Sequence, residues 1–287
     1  MLGLAKPAAS SSAEWLVERL GAPERPTIDC RDVLIVVAHP DDETIALGGQ
    51  LERMEGVRLL HVTDGAPMNM GEALACGFAC REDYADARRK ELAAAMAFAG
   101  VDPGALLSLS VPDQAVAHHM AEVVLQVAEL FREERIRLVL THAYEGGHPD
   151  HDATALVVHA ACHSLTRNGF RAPEIVEFPL YHAENGCMVV QQFAPGSERE
   201  SARTVSLDGA IAEAKQRLMT AYLTQRRMLS AFGQQVERFQ PAAQYDFGEL
   251  PNRGGLFYRN FDWGLRPEEW PQLVSNACRD LDLPLWL

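Results

Sequence analysis

Two short apolar runs stand out along the chain, and each runs straight into a polar cluster. Val33-Leu34-Ile35-Val36-Val37 is continuous and rich in β-branched residues. That is the pattern of a strand buried on both faces of a parallel sheet. Residues 136–141 repeat it. Further strands are expected over 57–63, 106–111, 174–181 and 188–193. Between them, apolar positions recur at helical spacing over 13–20, 44–54, 81–99, 116–134, 151–165 and 207–232. Gly48 and Gly49 allow close packing of the second of these helices on the sheet, and Gly100 stops the third. Residues 66–79 read as a loop that could cover a substrate, and residues 1–12 as loose. From Gln240 the chain turns rich in Pro, Gly and aromatics. Strand alternating with helix predicts an α/β fold with a Rossmann-like, mostly parallel sheet flanked by helices. The expected division is a domain over 1–240 and a C-terminal loop-rich extension over 241–287, packed on the same domain.

Composition narrows the partners. A chain of 287 residues can bury a large core. Its formal net charge of −14 argues against nucleic acid and against an anionic membrane surface. No apolar run reaches the length of a membrane span, and no signal peptide is visible. The six cysteines are dispersed, without metal-finger or redox spacing, and read as reduced thiols of a cytoplasmic protein. Oligomeric state is left open.

The chemistry lies in the two polar clusters, His39-Pro40-Asp41-Asp42-Glu43 and His148-Pro149-Asp150-His151. In open α/β sheets ligands bind where strands end, so both clusters sit where this fold puts chemistry. Read alone, either could be a polar turn that caps a helix. Two of them, each opening His-Pro-Asp after a strand, point instead to one metal ion. A catalytic zinc takes about three protein ligands and keeps an open position. His39 and Asp42 are three apart and can face one point, and His151 is the natural third ligand. Asp41 cannot point the same way while Asp42 coordinates, so it is free to act as general base. His148 could stabilise an oxyanion, and Asp150 could orient either imidazole. Glu43 reads as a carboxylate that supports the ligands from behind or starts the helix, not as a ligand. His118, His119, His159 and His163 read as surface or partly buried helix positions, and His142 as a strand-end residue near the site.

On these residues the chain resembles the PIG-L/LmbE family of zinc-dependent N-deacetylases. Ala-His-Pro-Asp-Asp-Glu and Gly-His-Pro-Asp-His are its motifs. Arg88 to Leu92 resembles its Arg-x-x-Glu-Leu helix, Pro112-Asp113 its Pro-Asp, and Lys215 to Gln225 its Lys-rich helix ending in Ser/Thr-Gln. Tyr245-Asp246-Phe247 with Trp263-Gly264 resembles a bacterial subgroup. The resemblance implies Zn²⁺ on His39, Asp42 and His151, Asp41 as base, and His148 at the oxyanion with Asp150 beside it. Asp113 would bind a sugar hydroxyl, with Arg88 and Tyr144 as further substrate contacts. Where some relatives carry an aromatic, this chain has Gly146; either Tyr144 supplies the ring or the contact is missing. The implied reaction is hydrolysis of the amide of an N-acylated amino sugar or its glycoside. The alternatives are a metal-dependent amidase on a non-sugar amine, or a non-catalytic metal- or sugar-binding protein. A non-haem iron oxygenase is disfavoured by the His-x-x-Asp spacing and the α/β pattern.

Overall fold

A computed structural model describes residues 11–287; the first ten residues of the expected loose start lie outside them. Helix α1 (Ser12–Leu20) opens on a capping box in which Ser11 and Glu14 satisfy each other's backbone N–H. Next come the two-residue strand β1 (Ile28–Asp29), the central strand β2 (Val33–Val37) and the short helix α2 (Asp42–Leu47). Strand β3 (Met54–Glu55) pairs with β1. Then follow β4 (Arg58–Pro67), α3 (Gly71–Ala75), α4 (Arg81–Phe98), β5 (Leu106–Asp113), α5 (Val116–Glu133), β6 (Leu138–His142), α6 (Pro149–Arg167) and β7 (Glu174–Phe178). The remainder holds a hairpin of β8 (Tyr181–Glu184) and β9 (Cys187–Val190), then β10 (Arg203–Ser206), α7 (Gly209–Thr220), α8 (Arg226–Leu229), β11 (Val236–Pro241) and α9 (Trp270–Asp280).

Seven strands form one sheet in the order β10-β11-β7-β6-β2-β4-β5. From β7 to β5 all pairings are parallel, and β10 and β11 add an antiparallel edge. The chain leaves β2 toward β4 and β5 on one side, then crosses to lay β6 and β7 on the other. The switch between β2 and β6 opens a crevice at their carboxyl ends, the usual ligand position in such sheets. Both polar clusters project there.

The sheet is covered on both faces, which explains the unbroken apolar run of β2. Val33, Ile35 and Val37 face a core shared with α1, α4 and α7. Leu34 and Val36 face a second core built with α5, α6 and α9. Fully burying one such side chain is worth roughly 1.5–3 kcal/mol. Among the described residues no helix is long and apolar enough to cross a membrane.

Several expected boundaries differ. The helix foreseen over 44–54 ends at Leu47, and position 48 admits only glycine without a shift: a Cβ there would lie 2.5 Å from the Thr44 carbonyl oxygen and 2.9 Å from Lys215 Cγ. Helix α7 approaches that closely because Lys215, fully buried, donates to the Ile45 carbonyl at 2.6 Å and to Glu237 at 2.9 Å. The single helix foreseen over 207–232 breaks after Thr220. The released turn sends Tyr222 to Glu43, and Thr224 to Glu91 at 2.6 Å. The strand foreseen over 174–181 divides after Phe178, and the strand foreseen over 57–63 runs on to Pro67, paired with Asp113. The loop over 66–79 holds the short helix α3. The tail is more ordered than its composition suggests: β11 crosses residue 240, and α9 buries Trp270, Val274 and Cys278.

Candidate metal centre and active site

The first cluster follows β2 directly. His39 begins the turn and Asp42 opens α2, so their side chains converge. The Asp42 carboxylate accepts the His39 backbone N–H at 2.7 Å, closing the turn on itself. The second cluster caps α6. Pro149 suits a first helical position, and the loop before it is tied down by carboxylates. Asp152 accepts from the N–H groups of Glu145 and Gly146, at 3.2 and 3.0 Å, and Glu145 accepts from those of Leu180 and Tyr181. At Gly147 a Cβ would stand 2.0 Å from the Tyr181 carbonyl oxygen, so only glycine allows this approach.

Across the crevice three side chains meet. His39 Nδ1 lies 3.2 Å from His151 Nε2 and 3.3 Å from Asp42 Oδ2, and His151 Nε2 lies 3.3 Å from Asp42 Oδ1. Metal bonds of about 2.0–2.1 Å in tetrahedral geometry set donor atoms roughly 3.3 Å apart. The spacing therefore fits one metal ion held by His39, Asp42 and His151. The far nitrogen of His39, Nε2, contacts Asp113 at 2.9 Å and Asp150 at 3.4 Å. A carboxylate on the outer nitrogen orients a ligating imidazole. His142 stacks on His151, with ring centroids 4.2 Å apart, and its Nε2 stands 3.5 Å from Asp42. That lone pair already accepts the Ala38 N–H at 2.9 Å, which leaves it unsuited to coordinate.

Charge within the cluster is divided. Burial opposes charge on His39, yet Asp113 and Asp42 hold its ring well above the usual imidazole range. Burial would raise Asp42, but His151 and His39 hold it well below the carboxylate range. Asp41 goes the other way: burial lifts it well above, against the pull of Arg88. Burial, then the neighbouring His39, pushes His148 well below its usual value. His148 Nδ1 accepts the Asp150 backbone N–H at 3.1 Å, so a neutral ring carries its proton on Nε2.

Most of the expected site residues come together. His39, Asp41, Asp42, Arg88, Asp113, His148 and His151 all line one cleft of about 120 Å³. Asp150 lies beneath it, fully buried, accepting from the N–H groups of Gln114 and Val116. Arg88 reaches the cleft with both terminal nitrogens engaged, on the carbonyls of Pro40 and Gly65 and on Asp41 Oδ2 at 3.2 Å, while its buried Nε has no hydrogen-bond partner among the described residues. Tyr144 does not line the cleft. Its hydroxyl donates to the Glu249 carbonyl, and its ring packs against Tyr245, Phe247 and Trp270.

The cleft also takes residues that the sequence reading assigned no role in the site: Glu72 from α3, Tyr181 from β8, Gln225, Phe232 and, from the tail, Trp263. The Trp263 ring lies between Phe261, stacked at 4.4 Å, and His148 at 4.7 Å. Only the Ser/Thr-Gln and Trp-Gly pairs hinted at two of them. His118 is exposed, and His159 sits in the aromatic core, lowered to about 4 by burial.

Comparison with known proteins places this arrangement. Residues 34–162 match the family described as PIG-L, GlcNAc-PI de-N-acetylase. A 1D-myo-inositol 2-acetamido-2-deoxy-alpha-D-glucopyranoside deacetylase of Mycobacterium sp. (strain KMS) is 34% identical over 154 residues, 45% of this chain and 49% of that protein. The enzyme of the same name from Rhodococcus erythropolis (strain PR4) is 29% identical over 242 residues, 69% of this chain and 82% of that one. The chain thus spans about half the length of the mycobacterial relative. The zinc-inhibited form of teicoplanin deacetylase Orf2 shares the fold, with a TM-score of 0.54 at 20% identity, covering 75% of this chain and 98% of that one. The span that matches the family runs from β2, which carries the first cluster, into α6, which carries the second.

Proposed function

We propose that this protein hydrolyses the amide of an N-acylated amino sugar or its glycoside, releasing acetate or another acyl acid and a free amine. The observation that carries the reading is the meeting of His39, Asp42 and His151, the two imidazole nitrogens 3.2 Å apart and each 3.3 Å from one oxygen of Asp42, beside a second, separately held carboxylate, Asp41. Two imidazoles and a carboxylate suit Zn²⁺. Zinc bound there supplies Lewis acidity toward the amide carbonyl and toward water. The names of the curated relatives, deacetylases of an acetamido-glucopyranoside, support a sugar amide as substrate.

In this reading Asp41 takes the proton of the attacking water and returns it to the leaving amine. Arg88 fixes one oxygen of Asp41 and leaves the other for that proton. His148 donates from Nε2 to the oxyanion, its tautomer set by the Asp150 N–H. Asp150 and Asp113 steady His39, and Asp113 offers its second oxygen to a sugar hydroxyl. The sequence's dispersed cysteines, all free in the structure, accord with a cytoplasmic setting.

The test is release of amine from N-acetyl amino-sugar glycosides and from an acetylated lysine peptide, with a chelator and with zinc restored. The reading expects release from the glycosides, lost on chelation and recovered with zinc. Faster cleavage of the peptide would make the protein a general amidase, and no release from either would leave a binding protein.

A further inference from the structure

The turn that presents Asp41 is strained. Asp41 is not glycine, yet its φ is 134° and its ψ −24°, far from the conformations a side chain ordinarily tolerates. Such a residue persists only where its surroundings over-determine it. Here the Asp41 N–H donates to Glu43 Oε2, two residues on, at 3.0 Å.

Glu43 is itself held from three sides. It is fully buried. Its Oε1 accepts from the hydroxyls of Thr44, at 2.6 Å, and Tyr222. Its Oε2 also faces His61 Nε2 at 3.0 Å. A carboxylate has about four acceptor sites, and four partners fill them. Thr44 comes from α2, His61 from β4 across the sheet, and Tyr222 from the broken turn after α7. None of Glu43, His61 and Tyr222 lines the cleft.

We propose that Glu43, clamped by His61 and Tyr222, is a positioning residue: it holds the Asp41 backbone in its strained conformation and so aims the Asp41 carboxylate into the cleft. The inference rests on the reading of Asp41 as the base. It also gives a reason for the break in the helix foreseen over 207–232. An unbroken helix would carry Tyr222 onward along its axis, whereas the turn delivers its hydroxyl to Glu43.

The test compares two near-isosteric replacements. Glu43→Met removes every acceptor. Glu43→Gln keeps an oxygen for the Asp41 N–H and His61, while the two hydroxyls can rotate to accept from its amide. Glu43→Met is expected to lower kcat roughly 10- to 100-fold, since small misplacement of a reacting group costs that much, with KM and zinc content unchanged. Glu43→Gln should recover kcat to within about 3-fold of wild type, because the acceptor toward Asp41 is retained. In an Asp41→Asn background Glu43→Met should cost less than about 2-fold, because residues acting as one unit are not additive. Should Glu43→Met fail to fold or lose zinc, Tyr222→Phe decides by the same pair of measurements. It should lower kcat in the wild-type background and leave Asp41→Asn unchanged. An unchanged kcat, or equal losses in both backgrounds, overturns the positioning role alone. A wild-type enzyme that releases no amine overturns the reading of the site, and this inference with it.

Discussion

Asp41 and Asp42 are adjacent in the chain, yet the structure gives them opposite surroundings. Asp42 faces two imidazoles and keeps its charge; Asp41 faces Arg88 and is held above the usual carboxylate range by burial. One therefore suits a ligand and the other a base. Asp41→Asn should retain zinc but lose roughly 10²–10⁴ of kcat, since an amide cannot take the proton of water. Asp42→Ala should lose zinc itself. Metal analysis beside kinetics checks both, and an empty site in Asp41→Asn with a filled one in Asp42→Ala would mean that the roles are exchanged. His148 shows the same dependence on neighbours: a backbone N–H chooses its tautomer, and a tryptophan more than a hundred residues away packs on its ring.

Among the elements, α2 matters most, because it carries Asp42, Glu43 and Thr44 and is only six residues long. So short a helix is not stable by propensity alone. Its lower end is fixed by Lys215 on the Ile45 carbonyl and by Glu237 on the Gly49 N–H, at 2.6 and 2.8 Å. The contact is tight enough that Gly48→Ala must displace either the Thr44 carbonyl or Lys215. We expect a loss of about 1–3 kcal/mol, as for overpacking elsewhere, read as a lower urea midpoint at unchanged slope. An unaltered midpoint would show that α7 yields freely.

At the scale of the molecule, one buried carboxylate that does not line the cleft couples stability to pH. Glu177 on β7 is fully buried where the antiparallel edge joins the parallel sheet. Burial lifts it to about 7, although Gln240 and Tyr245 donate to it at 2.6 and 2.8 Å. The sign follows from proton counts. In the unfolded chain Glu177 releases its proton near 4.5, and in the folded protein near 7. Between those values the folded state binds more protons, so stability falls as pH rises through that window and is level on either side. The gap is worth roughly 3 kcal/mol. Glu177→Gln should remove this fall, seen as a flatter difference in unfolding free energy from wild type above pH 7 than between pH 4.5 and 7. A difference that stays constant across the window would show that the carboxylate remains charged throughout.

What the chain determined by itself is local. The run from Val33 to Val37 could only be a strand covered on both faces, and His-Pro-Asp after such a strand placed polar groups at its end. Hence the parallel sheet and the two polar clusters that meet in the cleft were legible from the sequence. What tertiary structure decided depends on contacts between distant segments. The 207–232 stretch has the periodicity of one helix, and it breaks because Tyr222 and Thr224 find partners on α2 and α4. Tyr144 was expected at the substrate and lies in the aromatic core, since its hydroxyl meets a carbonyl contributed by the tail. Periodicity records which face of a segment is buried, not what it is buried against. For the same reason the clamp on Asp41, gathered from α2, β4 and the turn after α7, leaves no signature in the order of residues.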